Sequence, residues 1–113
     1  MSAKLLSLSK NEDFKSLLNG KKISNKYLTI FFKNLSGKSN KYLNISFVAQ
    51  KKLGNAVKRN KIKRRLRNIM NDAAKKIDLN LKYCYLLIAK ISVLNEPYEN
   101  IKQTLFSDFE KIK

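Results

Sequence analysis

Between Asp13 and Asp72 the chain contains no acidic residue, while that interval carries 16 Lys or Arg. More than half of the polypeptide must therefore fold without internal salt bridges, held by apolar burial and hydrogen bonds against its own repulsion. Across all 113 residues, 25 Lys plus Arg face 8 Asp plus Glu, a formal charge of +17. Such an excess goes beyond what solubility needs and costs self-repulsion in the compact state unless a polyanion neutralises it. Most of the acidic residues come late, from Asp72 to Glu110. The field is therefore lopsided, and a one-signed face attracts phosphate or an anionic bilayer.

Apolar periodicity supplies the fold. The length suits one domain, 1–113, and no linker or repeat divides it. Ser9 with Glu12 matches a capping box for a short helix bearing Phe14, Leu17 and Leu18 on one side, and Gly20 ends it. Lys21 to Ser24 fits a brief strand. Tyr27 to Phe32 reads as the next, with Tyr27, Thr29 and Phe31 on one face and Leu28, Ile30 and Phe32 on the other. A turn or loop from Asn34 to Asn40 leads to a strand from Tyr42 to Ala49, and the short separation predicts an antiparallel hairpin. Tyr83 to Ala89 is apolar on both faces, the signature of a central strand. Pro97 marks a helix entry, followed by a stripe of Tyr98, Ile101, Leu105, Phe109 and Ile112. The order is α-β-β-β-α-β-α, an α+β two-layer sandwich.

The helix between the last two strands carries the charge. Lys51, Lys52 and Gly54 form a basic turn, and Asn55 is an N-cap whose side chain can accept a first-turn N–H. Ile62, Leu66, Ile69 and Ala73 then make a narrow stripe that lies on a sheet. Lys63, Arg64 and Arg67 project away from the stripe; Lys61 and Arg65 fall on its other side. From Lys51 to Arg67, nine of seventeen residues are basic and none acidic. Like charges at this density repel along a free helix, so sheet anchoring and a bound polyanion must offset them. Arg offers a planar fork to phosphate, Lys a point charge, and Asn60 can donate and accept. The candidate contacts are Lys51, Lys52, Asn55, Lys58, Arg59, Asn60, Lys61, Lys63, Arg64, Arg65 and Arg67.

Charge alone does not choose between DNA and RNA. Phe14, Tyr27 and Phe31 fit either the core or an open groove where unpaired bases stack, with Lys15, Lys22 and Lys26 near its rim. Other classes recede. No run of 18 apolar residues is present, and the start carries only a weak apolar patch without a signal-peptide core or cleavage pattern. The basic helix lacks the Trp and the broad apolar face of a membrane-surface helix. With no His and one Cys, neither a zinc site nor an intrachain disulfide is available, and Cys84 reads as a packed core thiol. That usage suits a reducing, cytoplasmic setting. A protein active site is also not evident: there is no His base and no carboxylate pair at the basic surface.

The segment from Lys51 through Gly54 and Asn55 to Arg67, with Arg59-Asn60-Lys61 at its centre, closely resembles the signature of the bacterial ribonuclease P protein subunit. Asn11 to Phe14, Gly20, Tyr27 to Phe31 and Tyr83 to Ala89 extend the resemblance over nearly the whole chain. It implies a ribosomal protein S5 domain 2-like fold with a left-handed parallel β-α-β crossover, where general topology rules predict a right-handed one. It further implies an accessory subunit of a ribonucleoprotein endoribonuclease, one protein per catalytic RNA, that removes the 5′ leader of precursor tRNA. Magnesium ions would be held mainly by that RNA. The basic element would bind the catalytic RNA, and Phe14, Lys15, Tyr27 and Phe31 would line the leader cleft. Lys61 departs from the family's usual Arg, Leu18 from a frequent aromatic, Gln50 from Ser and Asn68 from Glu. The alternative is a structured-RNA-binding protein without processing activity.

Overall fold

The computed structural model describes residues 4–8, 10–35, 37, 38 and 41–112. Five strands and their helices follow in the order β1 (Lys4–Leu6), α1 (Asn11–Leu18), β2 (Lys21–Ser24), β3 (Leu28–Lys33), β4 (Tyr42–Val48), a single 3-10 turn (Lys51–Leu53), α2 (Ala56–Lys76), β5 (Cys84–Ala89), α3 (Ser92–Asn95) and α4 (Tyr98–Glu110). The expected order is recovered, with β1 and the one-turn α3 added. The fold is α+β, a mixed sheet with flanking helices. Among the described residues no helix is long and apolar enough to cross a membrane.

Strand order is β1-β4-β5-β3-β2. β5 lies at the centre, as its two apolar faces require, parallel to β4 and antiparallel to β3. This corrects the expected β3–β4 hairpin: the two strands run antiparallel but β5 separates them, with Phe31 opposite Leu86 and Leu86 opposite Ser46. Shortness of a loop favours a hairpin only when no more apolar strand competes for both inner edges. The antiparallel hairpin is instead β2–β3, in the register Lys22 to Phe31 and Ser24 to Thr29. β1 adds in parallel to the outer edge of β4. β4, α2 and β5 therefore make a parallel β-α-β crossover, and the basic helix is its connection.

One sheet face holds the main core. Leu28 and Ile30 of β3, Leu43 and Ile45 of β4, and Tyr85 and Leu87 of β5 pack in one cluster with Ile62, Leu66, Ile69, Met70 and Ala73 of α2 and Ile101, Leu105 and Phe109 of α4. The α2 stripe is thus wholly buried, each such Leu or Ile contributing about 1.5–3 kcal/mol of transfer free energy. The other face carries a smaller cluster in which α1, through Leu17, and Leu8 cover only Cys84 and Leu86. Ser46 pins the approach to α1, accepting from the Leu8 N–H and donating to the Leu8 carbonyl, both at 3.0 Å. The expected cap Ser9 lies outside the described residues; α1 starts after Lys10 with no side-chain cap. Gly20 leaves α1 for a reason other than backbone freedom, since a Cβ there would stand 2.7 Å from the Phe32 carbonyl oxygen.

Candidate nucleic-acid interface

The N-terminus of α2 is built by its preceding turn. Leu53 and Gly54 donate to the carbonyls of Gln50 and Lys51 at 2.9 and 3.2 Å. Gly54 sits at φ 136°, where a side chain is strained, and a Cβ would lie 2.9 Å from Lys58 Cδ. Asn55 Oδ1 accepts from the Lys58 N–H at 2.9 Å, which is the expected cap. No acidic residue occupies the first turn. The positive pole of a 21-residue helix therefore stands beside Lys51, Lys52 and Lys58 with no carboxylate in its own first turn to neutralise it.

Along the helix the candidate contacts divide. Lys51, Lys52, Asn55, Lys58, Asn60, Lys61, Arg64 and Arg67 are exposed, whereas Arg59, Lys63 and Arg65 are half-buried. Arg65 turns inward, its two terminal nitrogens donating to the carbonyls of Leu94 and Glu96 at 3.3 and 2.5 Å. The expected phosphate fork at Arg65 therefore gives way to a tether that fastens the end of α3 to α2. Arg67 lies over the Phe47 ring, 5.7 Å from its centroid, and remains exposed. Arg59 encloses its Nε without a partner among the described residues, a donor that the fold itself does not use.

A second surface opens on the sheet face away from α2. β-strand parity places Thr29 and Phe31 of β3, Val48 of β4 and Ile88 of β5 side by side there, since Thr29 pairs with Ile88 and Ile88 with Val48. All four are half-buried. Phe14 of α1 packs against the same small cluster as Phe31, Val48 and Ile88, so the helix forms one wall of a channel floored by the sheet. Lys22, opposite Phe31, and Lys15 of α1 are exposed. At its far end the channel runs into a hollow of about 400 Å³ lined by Thr29, Ile88, Lys90 and Ile91 together with Gln50, Lys52 and Leu53 of the basic turn.

Tyr27 does not belong to this channel. It is 1% exposed and sits in the main core. The β3 ladder begins only at Leu28, because Asn25 Oδ1 accepts from the N–H groups of both Tyr27 and Leu28, at 2.7 and 3.0 Å, and turns the chain there. Alternation counted back from Phe31 therefore fails one residue beyond the strand.

The Ribonuclease P family model matches residues 3–113. The chain belongs to the ribonuclease P protein family. The ribonuclease P protein component of Mycoplasma mycoides subsp. mycoides SC is 34% identical over 107 residues, covering 94% of each chain. That of Mesomycoplasma hyopneumoniae strain 7448 is 31% identical over 111 residues, 97% of this chain and 95% of the relative. The structure of the Staphylococcus aureus RNase P protein superposes with a TM-score of 0.74 at 27% identity, covering 94% of this chain and 93% of that one. The Thermotoga maritima RNase P protein, at 21% identity, shares the fold with a TM-score of 0.78 over 96% of this chain and 98% of its own. The chain is a protein subunit of ribonuclease P, a ribonucleoprotein enzyme that acts on precursor tRNA.

In this ribonuclease P subunit the sequence pattern missed Val48, Ile88, Leu53, Lys90 and Ile91 as groove residues. The alternation that carries Val48 and Ile88 was visible, but which strands lie adjacent was not, and Leu53, Lys90 and Ile91 lie outside the strands. Carboxylates are scarce at the interface: Asp13, beside Phe14, is paired with Lys38 at 2.7 Å, and that hydrogen bond raises the Lys38 ammonium above its ordinary range. Among the described residues no three His, Cys, Asp or Glu side chains are gathered as metal ligands. Cys84 is buried in the small cluster, and burial pushes its thiol up, away from the reactive thiolate.

Proposed function

We propose that the ribonuclease P subunit seats its basic turn and α2 on the catalytic RNA while the open sheet face carries the single-stranded 5′ leader of precursor tRNA. One observation carries the reading: the hollow at the end of the channel is lined jointly by β3 and β5 and by Lys52 and Leu53 of the basic turn. A strand of RNA lying on Thr29, Phe31 and Ile88 is thereby led to the positive pole of α2. Phe14 and Phe31 offer ring surface to unpaired bases, and Lys15 and Lys22 meet phosphates at the rim.

Chemistry in this reading belongs to the RNA. The chain has no His, and its interface carboxylate is already paired. Magnesium, which supplies charge for phosphodiester hydrolysis, is assigned to the catalytic RNA, and the protein's own residues position substrate and neutralise phosphate. One protein per catalytic RNA, in the cytoplasm and with no membrane partner, completes the proposal. We also assign the β4-α2-β5 crossover the left-handed sense of a ribosomal protein S5 domain 2-like fold, a sense that leaves α2 and α4 on one face and the leader channel on the other.

Reconstitution tests the function. Precursor-tRNA cleavage by the cognate catalytic RNA at low magnesium is expected to rise when this chain is added; no rise with a folded protein would leave a structured-RNA binder without processing activity. Phe31→Ala tests the channel, with an expected loss of about 1–3 kcal/mol in binding leader-bearing precursor and little for mature tRNA. Equal losses for both RNAs would remove the leader from this face.

A further inference from the structure

A second hollow, this one aromatic, lies at the other end of β3 and β5 from the one that Lys52 closes. It has a volume of about 450 Å³ and is lined by Asn19, Lys21, Phe32, Lys33, Asn34 and Tyr83, with Gly20 at its wall. None of these belongs to the basic helix or to the leader channel. Phe32 is on the opposite parity from Phe31, facing the α4 side of the sheet.

Its rings form the open end of an aromatic row. Phe109 of α4 packs on Tyr85 at 5.2 Å between centroids, Tyr85 lies 6.4 Å from both Phe32 and Tyr83, and Tyr83 meets Phe32 edge-on at 5.3 Å and 68°. Tyr85, Phe32 and Phe109 are buried, but Tyr83 is only half-buried. The row thus ends in a ring whose remaining surface faces the hollow. Lys21 sits opposite Phe32 in the β2–β3 register and Lys33 follows it in β3, both exposed. Neither is ion-paired among the described residues. The tight link through Gly20, which has no room for a Cβ beneath the Phe32 carbonyl, keeps the Asn19 and Lys21 wall close to β3.

An aromatic face with Lys21 on its own side of the sheet, Lys33 at the rim where β3 ends and amides from Asn19 and Asn34 at the margin matches a base and its flanking phosphates. A neutral apolar peptide would leave both lysines unanswered. We propose that this hollow binds one unpaired RNA nucleotide, its base stacked on Tyr83 and its phosphates at Lys21 and Lys33. The nucleotide comes either from the catalytic RNA or from the precursor. This rests on the subunit's residence in the RNA complex but not on the leader channel.

The chain has no Trp, so Tyr83→Trp places a single reporter in the hollow. In the assembled holoenzyme its emission is expected to fall when a base stacks on it. A fall on adding the catalytic RNA identifies that RNA as the source; a fall only with leader-bearing precursor identifies the substrate. Emission unchanged through both additions would overturn the proposal. Independently, the double variant Lys21→Gln with Lys33→Gln is expected to lower the salt slope of that same binding step by about 1.4 units. Tyr83→Leu, which retains apolar bulk, is expected to weaken the step about tenfold. Variants that melt as the parent, bind with its slope and affinity and still stimulate precursor cleavage would show an empty hollow while leaving the subunit's function intact.

Discussion

At the scale of single residues, neighbouring arginines of one basic run do different work. Arg64 is exposed, whereas Arg65, half-buried on the other flank of α2, donates to the carbonyls of Leu94 and Glu96 at the C-terminal end of α3. Arg64→Ala is expected to lower the slope of log affinity against log salt by about one unit with little change in melting. Arg65→Ala is expected to cost about 1.5–3 kcal/mol of stability, since it removes a charged donor from two carbonyls. Salt-dependent RNA binding alongside thermal denaturation separates the two; a full loss of slope at Arg65 with unchanged melting would reverse the assignment. Composition could not have told them apart. The run of charge was legible in the sequence, but which flank α3 docks against depends on a turn near Ser92 that carries almost no sequence signal. Tyr27 fails for a related reason: its parity follows from Asn25 turning the chain, a side-chain hydrogen bond that alternation does not encode.

At the scale of elements, α2 was the most legible because burial and charge segregate at helical spacing, and Ile62, Leu66, Ile69 and Ala73 are all enclosed. β1 was missed, being three residues long and stabilised by its parallel neighbour rather than by its own pattern. The pairing of α2 with α4 has a polar component as well. Lys102 of α4 reaches Asp72 of α2 at 3.3 Å, and Tyr98 donates to the same Oδ2 at 3.4 Å. The Lys102 ammonium holds the Asp72 carboxyl below the usual carboxylate range. A depressed carboxyl favours the folded state above its unfolded pKa, and this contribution disappears as pH falls through the folded value. Stability is therefore expected to drop in acid, below about pH 4 for this group, and to drop less steeply in Asp72→Asn. Melting curves across that range check it; parallel acid profiles for parent and variant would show that the pair is merely screened at the surface.

For the whole molecule, +17 on 113 residues is the governing quantity. Asp13, Asp72 and Asp108 are ion-paired, to Lys38, Lys102 and Lys111, against 25 Lys plus Arg in the chain. Most of the cations are left for an outside polyanion, and a ligand that binds only the folded state stabilises it by mass action. Melting temperature is expected to rise with pyrophosphate by more than with sodium chloride at equal ionic strength. Equal rises would reduce the effect to screening. The fold class and the central place of β5 could be read from apolar patterning, while strand order could not, because each strand's two edges are chemically alike.

The position of β5 also sets an order of events during synthesis. β3 and β4 are complete by Val48, yet neither has its inner neighbour until residues 84–89 have been made, and Phe31 meets Leu86 across 55 positions of chain. Everything that carries the contact surface of α2 is therefore translated before the strand that locks the sheet beneath it. A nascent chain stopped short of Tyr83 presents a run of cations on a half-built platform, with two apolar edges unsealed. Long-range closure of this kind is slow compared with local helix formation, so the last third of the chain governs when the subunit becomes competent to join its RNA.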